Sequence, residues 1–115
     1  MRISVTISEP WELGEAIHWR ALGGELTRAV EDEHGGRVLI KLDSPIKYRG
    51  LEWQYIVGAP RHRGDRVAAL QTGELVMTAL TAITAQQAMS DNPFDTTSWR
   101  GGLAFVGDLR RSSES

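Results

Sequence analysis

Between residues 37 and 66 the chain reads RVLIKLDSPIKYRGLEWQYIVGAPRHRGDR. Val38, Ile40 and Leu42 recur every second position, and so do Leu51, Trp53, Tyr55 and Val57. A period of two is what a strand imposes, because successive side chains leave opposite faces. The second run is also rich in aromatic and β-branched residues, which suit a pleated, half-buried surface. Arg49-Gly50 falls between 46–48 and 51–57, and glycine takes a positive φ at little steric cost. The pattern predicts a hairpin. Asp43-Ser44-Pro45 breaks the chain before it and Gly58-Ala59-Pro60 ends it, since proline donates no ladder hydrogen bond and restricts the residue before it.

The same periodicity opens the chain, where Ile3, Val5 and Ile7 alternate with Ser4, Thr6 and Ser8 to give a strand with one dry and one wet face. Glu9-Pro10 ends that strand. Segment 11–22 has no clean period and reads as a loop with about one helical turn. Gly23-Gly24 is expected to release a strand over 25–30, and the acidic, glycine-rich run at 31–36 is expected to turn the chain into Arg37. Beyond the hairpin, 61–66 reads as an exposed loop and 67–70 as either a helical turn or a strand. The run 74–89 fits both periods: Leu75, Val76, Ala79, Leu80 and Ile83 at helical spacing, or Val76, Thr78, Leu80, Ala82 and Thr84 at strand spacing. Consistency with the β neighbours favours a strand over its first ten residues. Turns are expected at 90–93 and 95–98, a last strand at 103–106, and a disordered tail at 110–115.

Six or seven short strands with at most one short helix predict an all-β fold, a small single-domain barrel or a strongly bent antiparallel sheet. The alternative is an α+β fold with a helix in 74–89. The domain is expected to span 1–109, a length sufficient for one core. Trp11, Trp19 and Trp53 would be its large packing units.

Charge sharpens the picture. The net charge is -2, but 1–36 holds seven acids and three arginines, 37–66 seven bases and three acids, and the remainder five acids and three arginines. Positive charge thus gathers on the hairpin and the loop after it, where it can steer an anionic partner. The alternative is a solvated hairpin whose bases pair with the acidic first third. With no cysteine, disulfides, thiolate zinc sites and a cysteine nucleophile are excluded. No apolar run approaches a membrane span and the first residues lack a signal-peptide pattern, so no membrane association and a cytoplasmic location are expected. Eleven of the thirteen basic residues are arginine, which hints at a GC-rich bacterial coding sequence.

Hydrolase, nucleotide and metalloprotease motifs are absent, and His18, His34 and His62 are too far apart in sequence for a local metal site; no cofactor is expected. Asp43 and Glu52 flank the hairpin and could approach across it, the arrangement that raises one carboxyl pKa for acid–base work. An enzyme using Asp43, Glu52 or His62 ranks last, because turn formation and pairing with Lys41, Lys47 or Arg49 explain the same carboxylates. The candidate binding surface comprises Tyr48, Arg49, Trp53, Tyr55, Arg61, His62, Arg63 and Arg66, with rings for contact area and guanidinium groups for carboxylate or phosphate. The expectation is a small non-enzymatic interaction module that engages an acidic protein surface, with adaptor or toxin-neutralising roles and homodimerisation both open. The alternative is a β-barrel that binds single-stranded DNA or RNA. Trp53 and Tyr55 share a strand face with Leu51 and Val57, and burial there would remove the stacking platform that the alternative needs.

Overall fold

The computed structural model describes residues 1–9, 21–48, 50–62, 64–94 and 103–112. Six strands, β1 (Arg2–Glu9), β2 (Ala21–Val30), β3 (Arg37–Tyr48), β4 (Leu51–Pro60), β5 (Val76–Ile83) and β6 (Leu103–Arg111), follow one another in space. β6 returns to pair with β1, so the sheet closes into an antiparallel barrel without open edges. Among the described residues no helix is long and apolar enough to cross a membrane.

The alternation read from the sequence decides which side chains fill the barrel. Ile3, Val5 and Ile7 of β1, Val38, Ile40 and Leu42 of β3, Val76 and Leu80 of β5, and Phe105 and Leu109 of β6 form one interior cluster. Each contributes about 1.5–3 kcal/mol by leaving water. Thr78 is also buried there, and its hydroxyl donates to the Gly107 carbonyl oxygen at 3.0 Å, which removes the cost of an unmet polar group. Gly107 itself is required, because a Cβ there would lie 2.7 Å from the Thr6 carbonyl oxygen of β1.

Two irregularities share one device. Between Ile7 and Glu9 the β1–β6 register slips, and between Leu26 and Arg28 the β2–β3 register does the same. The extra residues are Ser8 and Thr27, and each hydroxyl donates to a carbonyl on the facing strand, Val106 at 3.4 Å and Leu39 at 3.2 Å. Such bulges kink a strand and re-aim the side chains that follow.

The larger irregularity is in the hairpin. β3 advances from Lys41 to Ile46 while β4 retreats only from Tyr55 to Trp53. Asp43-Ser44-Pro45, read as a break before the hairpin, is instead the surplus absorbed within β3. Trp53, 5% exposed, joins the interior cluster opposite Ile46, whereas Tyr55, 7% exposed, joins a second cluster with Leu39, Val57, Ile83, Ala88 and Phe94. Leu51, from the same sequence periodicity, is 58% exposed.

Other boundaries also move. β2 begins at Ala21, so Gly23-Gly24 lie within the strand rather than before it. The reason is crowding: a Cβ at Gly24 would meet Ile40 Cγ2 at 2.8 Å, and one at Gly23 would meet Asp43 Oδ2 at 2.8 Å. Above Gly23 the guanidinium of Arg2 reaches Asp43 from β1 to β3. Segment 67–70 is a 3₁₀ turn, Val67–Thr72, that ends at Gly73 with φ +85°. Segment 74–89 divides into β5 and a single helical turn, α1 (Ala85–Ala88), started by a reciprocal cap between Thr84 and Gln87. β6 runs to Arg111, five residues past the predicted end, and takes in Arg110 and Arg111 from the presumed tail. Trp11, Trp19 and the turn at 95–98 lie outside the described residues.

Candidate functional site

The stagger of a closed barrel brings together residues that the sequence keeps apart. Glu9 pairs with Val106, Val106 with Ala79, and Ala79 with Ala59, so the end of β1 lies level with the end of β4. Arg61 follows β4, and its amide donates to the Met77 carbonyl oxygen at 2.9 Å. Its guanidinium then spans to the Glu9 carboxylate, with Nη1 donating to Oε2 at 2.7 Å.

Beside Arg61 lies an open cleft of about 590 Å³. One wall is the β2–β3 connection, Glu33, His34 and Gly35; the other is Pro60, Arg61, His62, Gly64, Asp65 and Arg66. The walls are joined by main-chain contact, since the Val67 amide donates to the Gly35 carbonyl oxygen at 2.9 Å. Gly35 is at φ +101°, and a Cβ there would fall on the Asp65 carbonyl oxygen, so only glycine lets the loops meet this closely. Arg66 Nη2 donates to the Asp32 carbonyl oxygen at 3.4 Å.

Asp32 holds the first wall in shape. Its Oδ1 accepts from the amides of His34 at 2.8 Å and Gly36 at 3.0 Å. The Gly36 amide first, then the His34 amide, hold its carboxyl below the ordinary aspartate range, and Arg37 adds to the effect. His34 Nε2 lies 3.5 Å from Glu33 Oε1, and His62 Nε2 lies 3.2 Å from Met77 Sδ. Among the described residues the cleft therefore offers two guanidinium groups and two imidazoles, with Glu33 and Asp65 as acids on its lining.

Of the predicted surface, Arg61, His62 and Arg66 are exposed and share this cleft. Trp53 and Tyr55 are buried, so neither ring offers a face for stacking. Tyr48 ends β3 opposite Leu51, and Arg49 and Arg63 lie outside the described residues. The carboxylate pair expected across the hairpin is not formed as drawn: Asp43 is held by Arg2, which lowers its pKa through that hydrogen bond, while Glu52 stands opposite Lys47. No group of three or more His, Asp or Glu side chains able to hold a metal occurs among the described residues.

Sequence reasoning passed over the first wall entirely, because Glu33-His34-Gly35 carried only a turn signal. It also passed over a strap on the outer face. There Phe94 packs on Leu39, Tyr55, Val57 and Ile83; Arg37 Nη1 donates to the Phe94 carbonyl oxygen at 2.6 Å, and the Arg28 guanidinium sits 5.8 Å from the Phe94 ring centroid. No protein-family model matches the chain, and no curated protein or solved structure matches it.

Proposed function

We propose that the protein is a small non-enzymatic interaction module that captures an acidic protein partner through the cleft between the 33–35 and 60–66 walls. The observation that carries this reading is the convergence of Arg61, Arg66, His34 and His62 on one open cleft. A guanidinium recognises a carboxylate in a bidentate fork and loses little solvation in doing so. Arg61 already holds a carboxylate, that of Glu9, at 2.7 Å; an incoming acidic side chain would exchange with it or share it. Glu33 and Asp65 share the lining, so the cleft offers discrete cationic positions rather than a broad positive field. The burial of Trp53 and Tyr55 removes two rings that single-strand binding would use, which favours a protein partner over DNA or RNA. A cysteine-free chain suits a cytoplasmic setting for such capture.

The test is fluorescence anisotropy with two labelled probes, a glutamate-rich peptide and a single-stranded oligonucleotide of equal net charge. The wild type should bind the peptide, and the Arg61→Ala, Arg66→Ala double variant should bind it about tenfold or more weakly with an unchanged melting temperature. Tighter binding of the oligonucleotide would transfer the cleft to the nucleic-acid reading. Equal peptide binding by variant and wild type would remove the cleft from the function.

A further inference from the structure

The bulge at Thr27 decides which side chains face the mouth of the barrel where β2 runs into β3. Leu26 stands opposite Ile40 and points inward; under strict alternation Arg28 and Val30 would follow it. The extra residue reverses the parity. Ala29 now stands opposite the interior residue Val38, while Arg28 turns outward to the Phe94 ring. A methyl group thus occupies an inward position that a longer side chain would fill, and the alternation carries Glu31 to the same side as Ala29.

The result is a recess of about 200 Å³. Val38, Val67 and Leu70, all buried members of the interior cluster, form its apolar wall, with Leu26 packed beside them. It shares no lining residue with the charged cleft. Glu31 supplies a negative charge on this lining, and among the described residues no cation pairs with it. The Met1 ammonium, at the same recess, is held by Glu25 Oε1 at 3.0 Å, and Arg111 donates to the Gln71 carbonyl oxygen at 2.9 Å.

We propose that this recess is a binding site for a small aliphatic ammonium, separate from the cleft. The hydrocarbon body displaces water from Val38, Val67 and Leu70, and the ammonium meets the Glu31 carboxylate. Sites that pair an apolar lining with a few placed polar groups recur in the mouths of β-barrels. Volume sets the size of the ligand: an apolar cavity of about 150 Å³ takes benzene, so this recess takes a branched chain of about six heavy atoms. Charge sets its sign, because a carboxylate with no described ion-pair partner attracts an ammonium and repels a second carboxylate.

The experiment follows the methyl signals of Leu26, Val67 and Leu70 by NMR during titration with isopentylamine, isopentyl alcohol or isovalerate, which share one branched hydrocarbon body. Isopentylamine should shift these signals with a dissociation constant on the order of 1 mM. The alcohol should bind about three- to fivefold more weakly, the worth of an exposed ion pair, and isovalerate more weakly again. Glu31→Gln should erase the preference for amine over alcohol and keep the alcohol bound. Ala29→Leu should fill the recess and abolish the shifts. Unshifted methyl signals with isopentylamine, equal affinity for amine and alcohol, a preference for the amine that survives Glu31→Gln, or shifts that persist in a folded Ala29→Leu variant would each overturn the proposal. The comparison of amine with alcohol changes only the ligand, so it decides the matter even if Ala29→Leu fails to fold. None of these outcomes depends on peptide capture by the cleft.

Discussion

Glu9 at the end of β1 and Arg61 just after β4 are joined by an ion pair at 2.7 Å although β1 and β4 are separated in the barrel by β6 and β5. The bulge at Ser8 and the stagger of the sheet place them level, and the long arginine side chain covers the remaining distance. One of the two guanidinium groups in the candidate cleft thus carries its own carboxylate. Any acidic ligand must compete with it.

Glu9→Gln should therefore raise the affinity of an acidic peptide several-fold at low salt, with the gain fading as salt rises. Stability should fall by no more than about 1 kcal/mol, because an exposed pair contributes little. Titration at about 50 and 200 mM salt, with thermal melts alongside, reads both effects. A loss of affinity would mean that Glu9 holds Arg61 in its working position.

Gly35 joins the two cleft walls, whereas Gly64 stands in open space with φ +94°. Gly64→Ala should cost about 1–2 kcal/mol from the left-handed backbone alone. Gly35→Ala adds a collision with the Asp65 carbonyl oxygen and should cost about 1–2 kcal/mol more, with weaker peptide capture as the walls part. Urea denaturation of the two variants gives the comparison; equal costs would show that the loops separate freely.

Asp32 supplies a pH signature. Its folded pKa is lowered by the Gly36 and His34 amides, so its ionised form favours the folded state. That stabilisation is complete above the unfolded aspartate value of about 3.9 and is lost as the pH falls through the lower folded value. Asp32→Asn keeps an acceptor but no charge. The stability gap between wild type and variant should be widest above about pH 5 and should close toward the acid limb. A gap that persists unchanged into strong acid would assign the effect to packing rather than charge.

In the core, Trp53 Nε1 is buried with no hydrogen-bond partner among the described residues. Trp53→Phe sacrifices ring volume but also removes an unmet donor, and should cost only about 1–2 kcal/mol. Phe105→Ala empties a fully buried site inside the barrel and should cost about 3–5 kcal/mol. Chemical denaturation curves rank the two; the reverse order would contradict the placement of Phe105 at the centre of the core.

Much of the barrel is legible one strand at a time. The period of two at Ile3, Val5 and Ile7, and again at Val38, Ile40 and Leu42, marks interior residues directly. Where reading failed, a neighbour had intervened. Gly23-Gly24 look like a turn until Ile40 and Asp43 occupy the space where their side chains would be. Trp53 and Tyr55 look like one face until the surplus residues of β3 divide them between two clusters. Residues 74–89 satisfied both periods. Pairing with β4 and β6 made 76–83 a strand, and the Thr84–Gln87 cap made 85–88 a helical turn.

What the sequence determined by itself was local: the strand period, the glycines fit for turns, the absence of thiol chemistry and the concentration of arginine after β4. Each depends on near neighbours and backbone geometry, which a linear reading contains. The tertiary structure alone decided that Glu33, His34 and Gly35 face Arg61, His62 and Arg66, and that Arg61 meets Glu9. Those encounters depend on closure of six strands with a particular stagger, a property of the whole sheet to which each strand contributes only a register.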